Sequence, residues 1–273
     1  MRISRALATP CAWRKAQERA ILACMHWKVI SLESVDSTQD YTKMHFSQWQ
    51  QQFVCVYAKE QTKAYGTRGK AWHAPRGNNI YASLYFPWAR GASSHLLAQL
   101  MAYTAIQVVG QQNLTLQIKW PNDLLTGGKK CGGILVELIP RGALWDVVLG
   151  LGLNLALSLQ DLAKIDQPAT SLEEASKKRW NREELLHGLL LQFREHLSTL
   201  KERGGVWLQK NLSQHLLGLG KPCLFSSEES SYQGIFQGVS SEGALELKES
   251  DGRVRSFFSG SLKKIDGSDY ELR

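Results

Sequence analysis

Lys119-Trp120-Pro121-Asn122-Asp123 is followed, after six intervening residues, by Lys130-Cys131-Gly132-Gly133-Ile134-Leu135-Val136-Glu137 and then by Gly150-Leu151-Gly152-Leu153-Asn154. These three runs decide the fold. Residues 114–119 read as a strand closed by Pro121. Residues 131–139 and 144–153 read as an adjacent strand pair, turned over Pro140-Arg141-Gly142. Paired glycines weaken a strand interior, so their presence here points to close approach by a ligand or, more plainly, to a bulge or tight sheet packing. The pentapeptide gathers a cation, an amide and a carboxylate at a proline-stiffened turn. Such a group suits a carboxylate, phosphate, hydroxyl or metal ligand, or local turn bonding by Asn and Asp.

Outward from this centre, residues 27–32 form a short strand, and Asp36, Ser37 and Thr38 offer N-caps to a helix reaching Gln52. Residues 53–59 are β-type. Residues 62–76 are basic and glycine-bearing with little apolar pattern, which predicts a long loop of the functional or disordered kind. Residues 79–86 form a strand that Pro87 ends. Leu96, Leu97, Leu100, Met101, Thr104, Ala105 and Val108 share one helical face, and an amphipathic helix runs from Arg182 to about Arg203. Strands and helices alternate without a βαβ rhythm, which predicts an α+β class. After Gly218 the texture changes. Short strands at 222–225, 234–239, 244–248 and 254–258, parted by polar turns, predict a small β-barrel or sandwich. The expected division is an N-terminal extension (1–25), a main domain (26–218) and a C-terminal module (219–273).

An apolar fraction of 43% with 21% charged residues is ordinary for a soluble globular chain. The net charge of +8 favours anionic partners, or merely a lysine-rich surface. No zinc finger, basic zipper or RNA-binding aromatic signature accompanies it. Cys11, Cys24, Cys55, Cys131 and Cys223 are scattered with no C-x-x-C pair, which argues against a disulfide framework or zinc cluster and fits a reducing, cytoplasmic setting. The longest apolar stretch, 144–159, is broken by Asp146, Gly150, Gly152, Asn154 and Ser158, so it reads as no membrane span. Residues 1–19 hold five basic residues and one acid. That suits a transit peptide, but translation starting at Met25, just before the first strand, is the preferred reading; an extension that is disordered is the remaining one.

Chemistry-bearing residues concentrate in the loop Gln61-Thr62-Lys63-Ala64-Tyr65-Gly66-Thr67-Arg68-Gly69-Lys70-Ala71-Trp72. Its glycines expose backbone N–H groups, and Lys63, Arg68 and Lys70 neutralise anions, although a solvated basic loop has the same composition. The spacing is not that of a P-loop, and Leu155 breaks a G-x-G-x-x-G pattern after Gly150. The seven histidines lie in no hydrolase or zincin signature.

Taken in order, Ser37-Thr38-Gln39, Gln61-Thr62, the glycine–basic loop to Trp72, Pro75 with Gly77-Asn78-Asn79, and the three opening runs resemble the biotin–protein ligase family over roughly residues 27–265. The resemblance implies a mixed-sheet catalytic domain of the biotin/lipoate ligase type with a small C-terminal SH3-like β-barrel. It also implies ATP-dependent formation of biotinyl-5'-AMP and transfer of biotin to a lysine of a biotin carboxyl carrier domain of acetyl-CoA carboxylase, with ATP, biotin and Mg²⁺ required. By that resemblance Ser37, Thr38, Gln39 and Gln61 line the biotin pocket, with Gly132, Gly133 and Gly150 nearby. Tyr65, Gly66 and Thr67 belong to the loop that closes over biotin. Lys119 is the catalytic residue holding carboxylate and phosphate. Arg68, Lys70, Trp72, Asn122, Asp123 and Asn154 face the nucleotide, and no metal ligand is assigned.

The chain departs from the family pattern in the loop. Ala64-Tyr65-Gly66-Thr67 stands where Gly-Arg-Gly-Arg is usual, so both arginines are missing; Gln39 replaces a common Asn, and Ala74 a common Ser. The extension before the first strand is too short for a helix-turn-helix domain, so DNA binding is not expected. The state, monomer or homodimer, is left open. Rival readings are a lipoate or octanoate ligase, which lacks this succession of motifs, and a non-catalytic biotin-binding regulator.

Overall fold

The computed structural model describes residues 27–49, 52–91, 94–227 and 230–265; the expected N-terminal extension lies outside them. Its main body is a mixed seven-stranded sheet. The strands are β1 (Lys28–Leu32), β2 (Val54–Ala58), β3 (Ile80–Ala89), β4 (Gln117–Lys119), β5 (Asp123–Thr126), β6 (Lys129–Arg141) and β7 (Leu144–Leu153). Their spatial order is β1-β2-β3-β7-β6-β5-β4. β1 and β2 are parallel and the other pairs antiparallel. The helices are α1 (Thr38–His45), α2 (Leu96–Gly110), the short α3 (Leu159–Leu162) and α4 (Leu172–Ser176), and α5 (Arg182–Leu212).

The two faces of the sheet are covered differently. Leu149, Leu151 and Leu153 of β7 join the buried faces of α2 and α5 in the main core. Val148, Gly150 and Gly152 alternate with them and point the other way, where α1 and the 61–76 loop lie. α1 is shorter than the sequence predicts. The chain tightens into a 3-10 turn over Phe46–Trp49, and residues three apart then align, so Phe46 and Trp49 both reach the buried Tyr85. Pro87 does not end β3, which runs to Ala89. The pairing of β2 stops at Val54↔Tyr85, so on that side Pro87 has no strand neighbour to miss its N–H, while β7 pairs the other side through Asp146. Gly204, with φ 68°, breaks α5 one residue after the predicted end at Arg203.

A second, five-stranded antiparallel sheet follows: β8 (Pro222–Ser226), β9 (Ser231–Val239), β10 (Leu245–Lys248), β11 (Val254–Phe257) and β12 (Ser261–Lys263), ordered β11-β10-β9-β8-β12. β12 is three residues long, too short to show a period in the sequence. The β9–β10 turn docks on the main body. Gln99 Nε2 donates to Gly243 O at 2.7 Å, and Trp120 Nε1 reaches the same oxygen at 3.4 Å. Trp120 also tilts against Phe225, 6.2 Å between ring centres. This seats the second sheet directly behind the 119–123 turn.

Gly205 marks the tightest point of that docking, since a Cβ there would lie 1.7 Å from Ser241 O. Gly205→Ala is therefore expected to destabilise the chain by about 1–3 kcal/mol in urea unfolding, the usual cost of overpacking against immobile backbone. An unchanged midpoint would show that the turn does not press on α5.

Candidate functional site

The register of the sheet assembles the site. Tyr81 pairs with Gly152, Gly152 with Gly133, Gly133 with Asp123 and Asp123 with Lys119. Cross-strand partners point to the same face, so these five residues form one row across β3, β7, β6, β5 and β4. Ser83, Gly150 and Leu135 form the next row on the same face.

Lys130 would face away from Gly133 in a regular strand, because residues three apart lie on opposite sides. The register slips between Leu124 and Leu125: Leu124 pairs with Gly132 but Leu125 with Lys130, leaving Cys131 as an extra residue. This bulge turns Lys130 onto the glycine face. Its Nζ makes a 2.7 Å ion pair with Asp123 and lies 5.4 Å from the centre of the Trp72 ring. Lys130 therefore joins Asp123 and its cross-strand partner Lys119 on one face. Cys131 itself is fully buried, and burial pushes its thiol up to about 12, which removes it as a nucleophile.

The glycines form a floor for an indole. A Cβ on Gly152 would lie 2.7 Å from the Trp72 ring, and one on Gly133 would lie 3.2 Å from it. Bare backbone at both positions lets the ring lie flat on the sheet. Trp72 Nε1 is buried with no hydrogen-bond partner among the described residues, as are Asn79 Nδ2 and Asn154 Oδ1. Asn79 Oδ1 accepts from the N–H groups of Leu155 and Ala156, and Asn154 Nδ2 donates to Thr170 O at 3.2 Å. Unpaired buried polar atoms are costly unless a ligand or water meets them.

A polar relay occupies the second row. Thr38 donates to Gln61 Oε1 through its N–H at 2.7 Å and its hydroxyl at 3.0 Å. The Ser83 hydroxyl lies 2.9 Å from both Thr38 Oγ1 and Gln39 Oε1. Gln39 Nε2 donates to Val148 O at 3.0 Å, and Gly150 leaves room for this amide, since a Cβ there would sit 2.9 Å from Gln39 Oε1. Ser37 is buried, and its hydroxyl caps α1 by accepting from the Asp40 N–H.

Most residues singled out in the sequence thus converge. Thr38, Gln39 and Gln61 share the relay, with Gly150 clearing room for it and Ser37 capping the helix that carries it; Lys119, Asp123 and Gly133 share the glycine row, on which Trp72 lies. Gly132 lies on the other side of β6, where a Cβ would strike Gly152 O at 2.9 Å, so its role is sheet packing. Asn122 Nδ2 donates to Ile134 O at 2.6 Å and holds the turn on β6. Thr67, Arg68 and Lys70 lie at the exposed tip of a small hairpin whose arms pair at Tyr65↔Ala71. Two residues had escaped a role. Lys130 needed the bulge to reach this face, and Ser83 sits in an apolar strand whose alternation gave no hint of a polar relay. Among the described residues, no group of three or more His, Cys, Asp or Glu side chains is placed to hold a metal ion, and no helix is long and apolar enough to cross a membrane.

Comparison with known proteins shows the family to which this fold belongs. Residues 31–154 match the biotin/lipoate A/B protein ligase family, and residues 218–273 match the biotin protein ligase C-terminal domain, which makes the second sheet the SH3-like module. A biotin–[acetyl-CoA-carboxylase] ligase of Paracoccus denitrificans is 30% identical over 205 residues, covering 72% of this chain and 85% of that protein. The chain belongs to the biotin–protein ligase family. The bifunctional ligase/repressor BirA of Bacillus spizizenii is 28% identical over 80% of this chain, which spans 65% of that relative's length. A biotin protein ligase from Aquifex aeolicus, solved in complex with biotin and ATP, superposes with a TM-score of 0.72 at 25% identity, covering 86% of this chain and 97% of that one.

The contact between Trp72 and the glycine floor is directly testable. Gly152→Ala is expected to cost about 1–3 kcal/mol of stability by lifting the ring. The same substitution should be nearly neutral in a Trp72→Ala background, giving a coupling of about 1 kcal/mol or more in a double-mutant cycle. Additive effects would place the strain elsewhere.

Proposed function

We propose that the chain is an ATP-dependent biotin–protein ligase that makes biotinyl-5'-AMP and passes biotin to a lysine of a carrier protein. Its partner would be a biotin carboxyl carrier domain of acetyl-CoA carboxylase. The observation that carries this reading is the single sheet face that gathers Lys119, Asp123 and Lys130 beside a glycine-and-indole floor, with a buried amide–hydroxyl relay one row away.

In this reading the relay of Thr38, Gln39, Gln61 and Ser83 meets the ureido ring, which needs buried donors and acceptors. Joining a carboxylate to the α-phosphate brings two anions together, and Lys119 and Lys130 lower that barrier electrostatically. The carboxylate oxygen bonds to the α-phosphorus, the bond to the β-phosphate breaks, and pyrophosphate leaves. The acceptor ε-amine then attacks the acyl carbon, loses a proton and releases AMP. Trp72 with the 64–72 hairpin shields the mixed anhydride from water. The orphaned Asn154 Oδ1 and Trp72 Nε1 suit the nucleotide side of the site. Mg²⁺ would accompany the nucleotide phosphates and neutralise the departing pyrophosphate.

The purified chain, given ATP, Mg²⁺ and labelled biotin, is expected to release pyrophosphate and label a carrier domain. Lys119→Ala and Lys130→Ala should each lower the adenylation rate about 10²–10³-fold while leaving the circular dichroism spectrum intact. Activation of lipoate or octanoate in preference to biotin would overturn the substrate assignment. Biotin binding without pyrophosphate release would make the chain a regulator.

A further inference from the structure

Tyr65 occupies the position where the family pattern has an arginine, and its phenol faces neither the glycine row nor the relay. It donates to Asp40 Oδ1 of α1 at 2.7 Å and accepts from Lys43 Nζ at 2.9 Å. Lys43 in turn donates to Glu137 Oε1 of β6 at 3.0 Å and lies 3.0 Å from Asp40. All three partners are partly shielded: Lys43 and Glu137 keep 29% and 32% of their side-chain exposure, and Asp40 47%. Burial pulls the Lys43 ammonium down, but the bonds from Tyr65, Asp40 and Glu137 outweigh it and hold its pKa above the ordinary lysine value. The Lys43 ammonium therefore keeps its charge at the centre of the network, and the bonds that it makes are charge-assisted, the strong kind.

Its position in the loop gives it leverage. The incoming end is stitched to the segment before α1, where Thr62 N donates to Val35 O at 3.0 Å and Lys63 N to Asp36 O at 2.8 Å. The outgoing end is pinned by Trp72 on the glycine floor. Between the two pins the 64–72 arms form a hairpin, closed by Gly66 N to Lys70 O at 2.8 Å and Trp72 N to Ala64 O at 2.9 Å. Its tip, Thr67–Gly69, is exposed. Tyr65 sits at the base of this hairpin, between the two pins and two residues after the first.

We propose that the Tyr65 phenol is a latch: by bonding Asp40 and Lys43 it holds the 64–72 hairpin against α1 and β6, and so sets how long the site retains its ligand. In this chain the contact that holds the loop is made from the hairpin's base, at one of the two positions where the family pattern has arginine. Tyr65 is thus a positioning residue that acts through the loop. The ligand half of the proposal rests on the biotin-ligase reading; the mechanical half does not.

Two readouts separate these halves. Trypsin cuts after Arg68 and Lys70, both exposed, only when the hairpin lifts, and this assay needs no ligand. Tyr65→Phe keeps the ring and removes the hydroxyl; it should speed loop cleavage about tenfold, as expected for loss of a charge-assisted hydrogen bond, with the thermal midpoint essentially unmoved. Biotin should dissociate faster by about the same factor, raising KM for biotin more than it changes kcat. Lys43→Met should give the same phenotype, and the double variant should be no worse than either alone, because both remove one unit. Loop cleavage within about twofold of the unsubstituted chain in both variants overturns the latch, whatever the activity. Faster cleavage with unchanged biotin dissociation overturns the claim about retention. A chain that ignores biotin altogether overturns the functional reading while cleavage still decides the latch.

Discussion

An indole lying flat on two bare glycines is the contact on which the site depends. Trp72 approaches the backbone of β6 and β7 as closely as a side chain can, because Gly133 and Gly152 carry nothing to hold it off. This fixes the far end of the long loop to the sheet and puts an aromatic wall beside Asp123 and Lys130. Gly150 does a related job one row along, clearing space for the Gln39 amide. The glycines weaken the strands that carry them, and the sheet tolerates this because β6 and β7 are paired continuously over ten residues of register, from Gly132↔Leu153 to Arg141↔Leu144.

A second constraint comes from the bulge at Cys131. Without the extra residue Lys130 would join the core face, where its charge would meet leucines; with it, Lys130 pairs with Asp123 on the face that also carries Lys119. Attraction to Asp123 holds the Lys130 ammonium near the place where negative charge would gather. The 119–123 turn is supported from behind by the second sheet, whose β9–β10 turn reaches Trp120 and Gln99. The C-terminal module is therefore part of the scaffold that aims the lysines.

Much of this was legible in the sequence. The β6–β7 pair, the strands flanking the loop, the faces of α2 and α5 and the first four strands of the second sheet follow from apolar period and turn residues. The rest was hidden for definite reasons. Pro87 read as a terminator because the sequence does not reveal that β2 ends at Val54 and leaves that side of β3 unpaired. The helix after Ser37 read too long because a 3-10 turn and an α-helix have similar composition, and only the shared contact of Phe46 and Trp49 with Tyr85 separates them. The task of Lys130 is hidden because the period of a strand points it away from Gly133, and the paired glycines that allow a bulge do not say where it falls. Ser83 is one hydroxyl in an apolar strand, and its importance exists only once Thr38 and Gln39 arrive from α1.

The central claim is that distant cations and bare-backbone glycines share one face of the sheet in order to join a carboxylate to a nucleotide. Crystals grown with biotin and a non-hydrolysable ATP analogue test it most directly. The account requires the biotin carboxylate and the α-phosphate to meet between Lys119 and Lys130, against Trp72, with the ureido ring at Thr38 and Ser83. Ligands bound on the α2–α5 side of the sheet, or on the second sheet away from the glycine row, would contradict it.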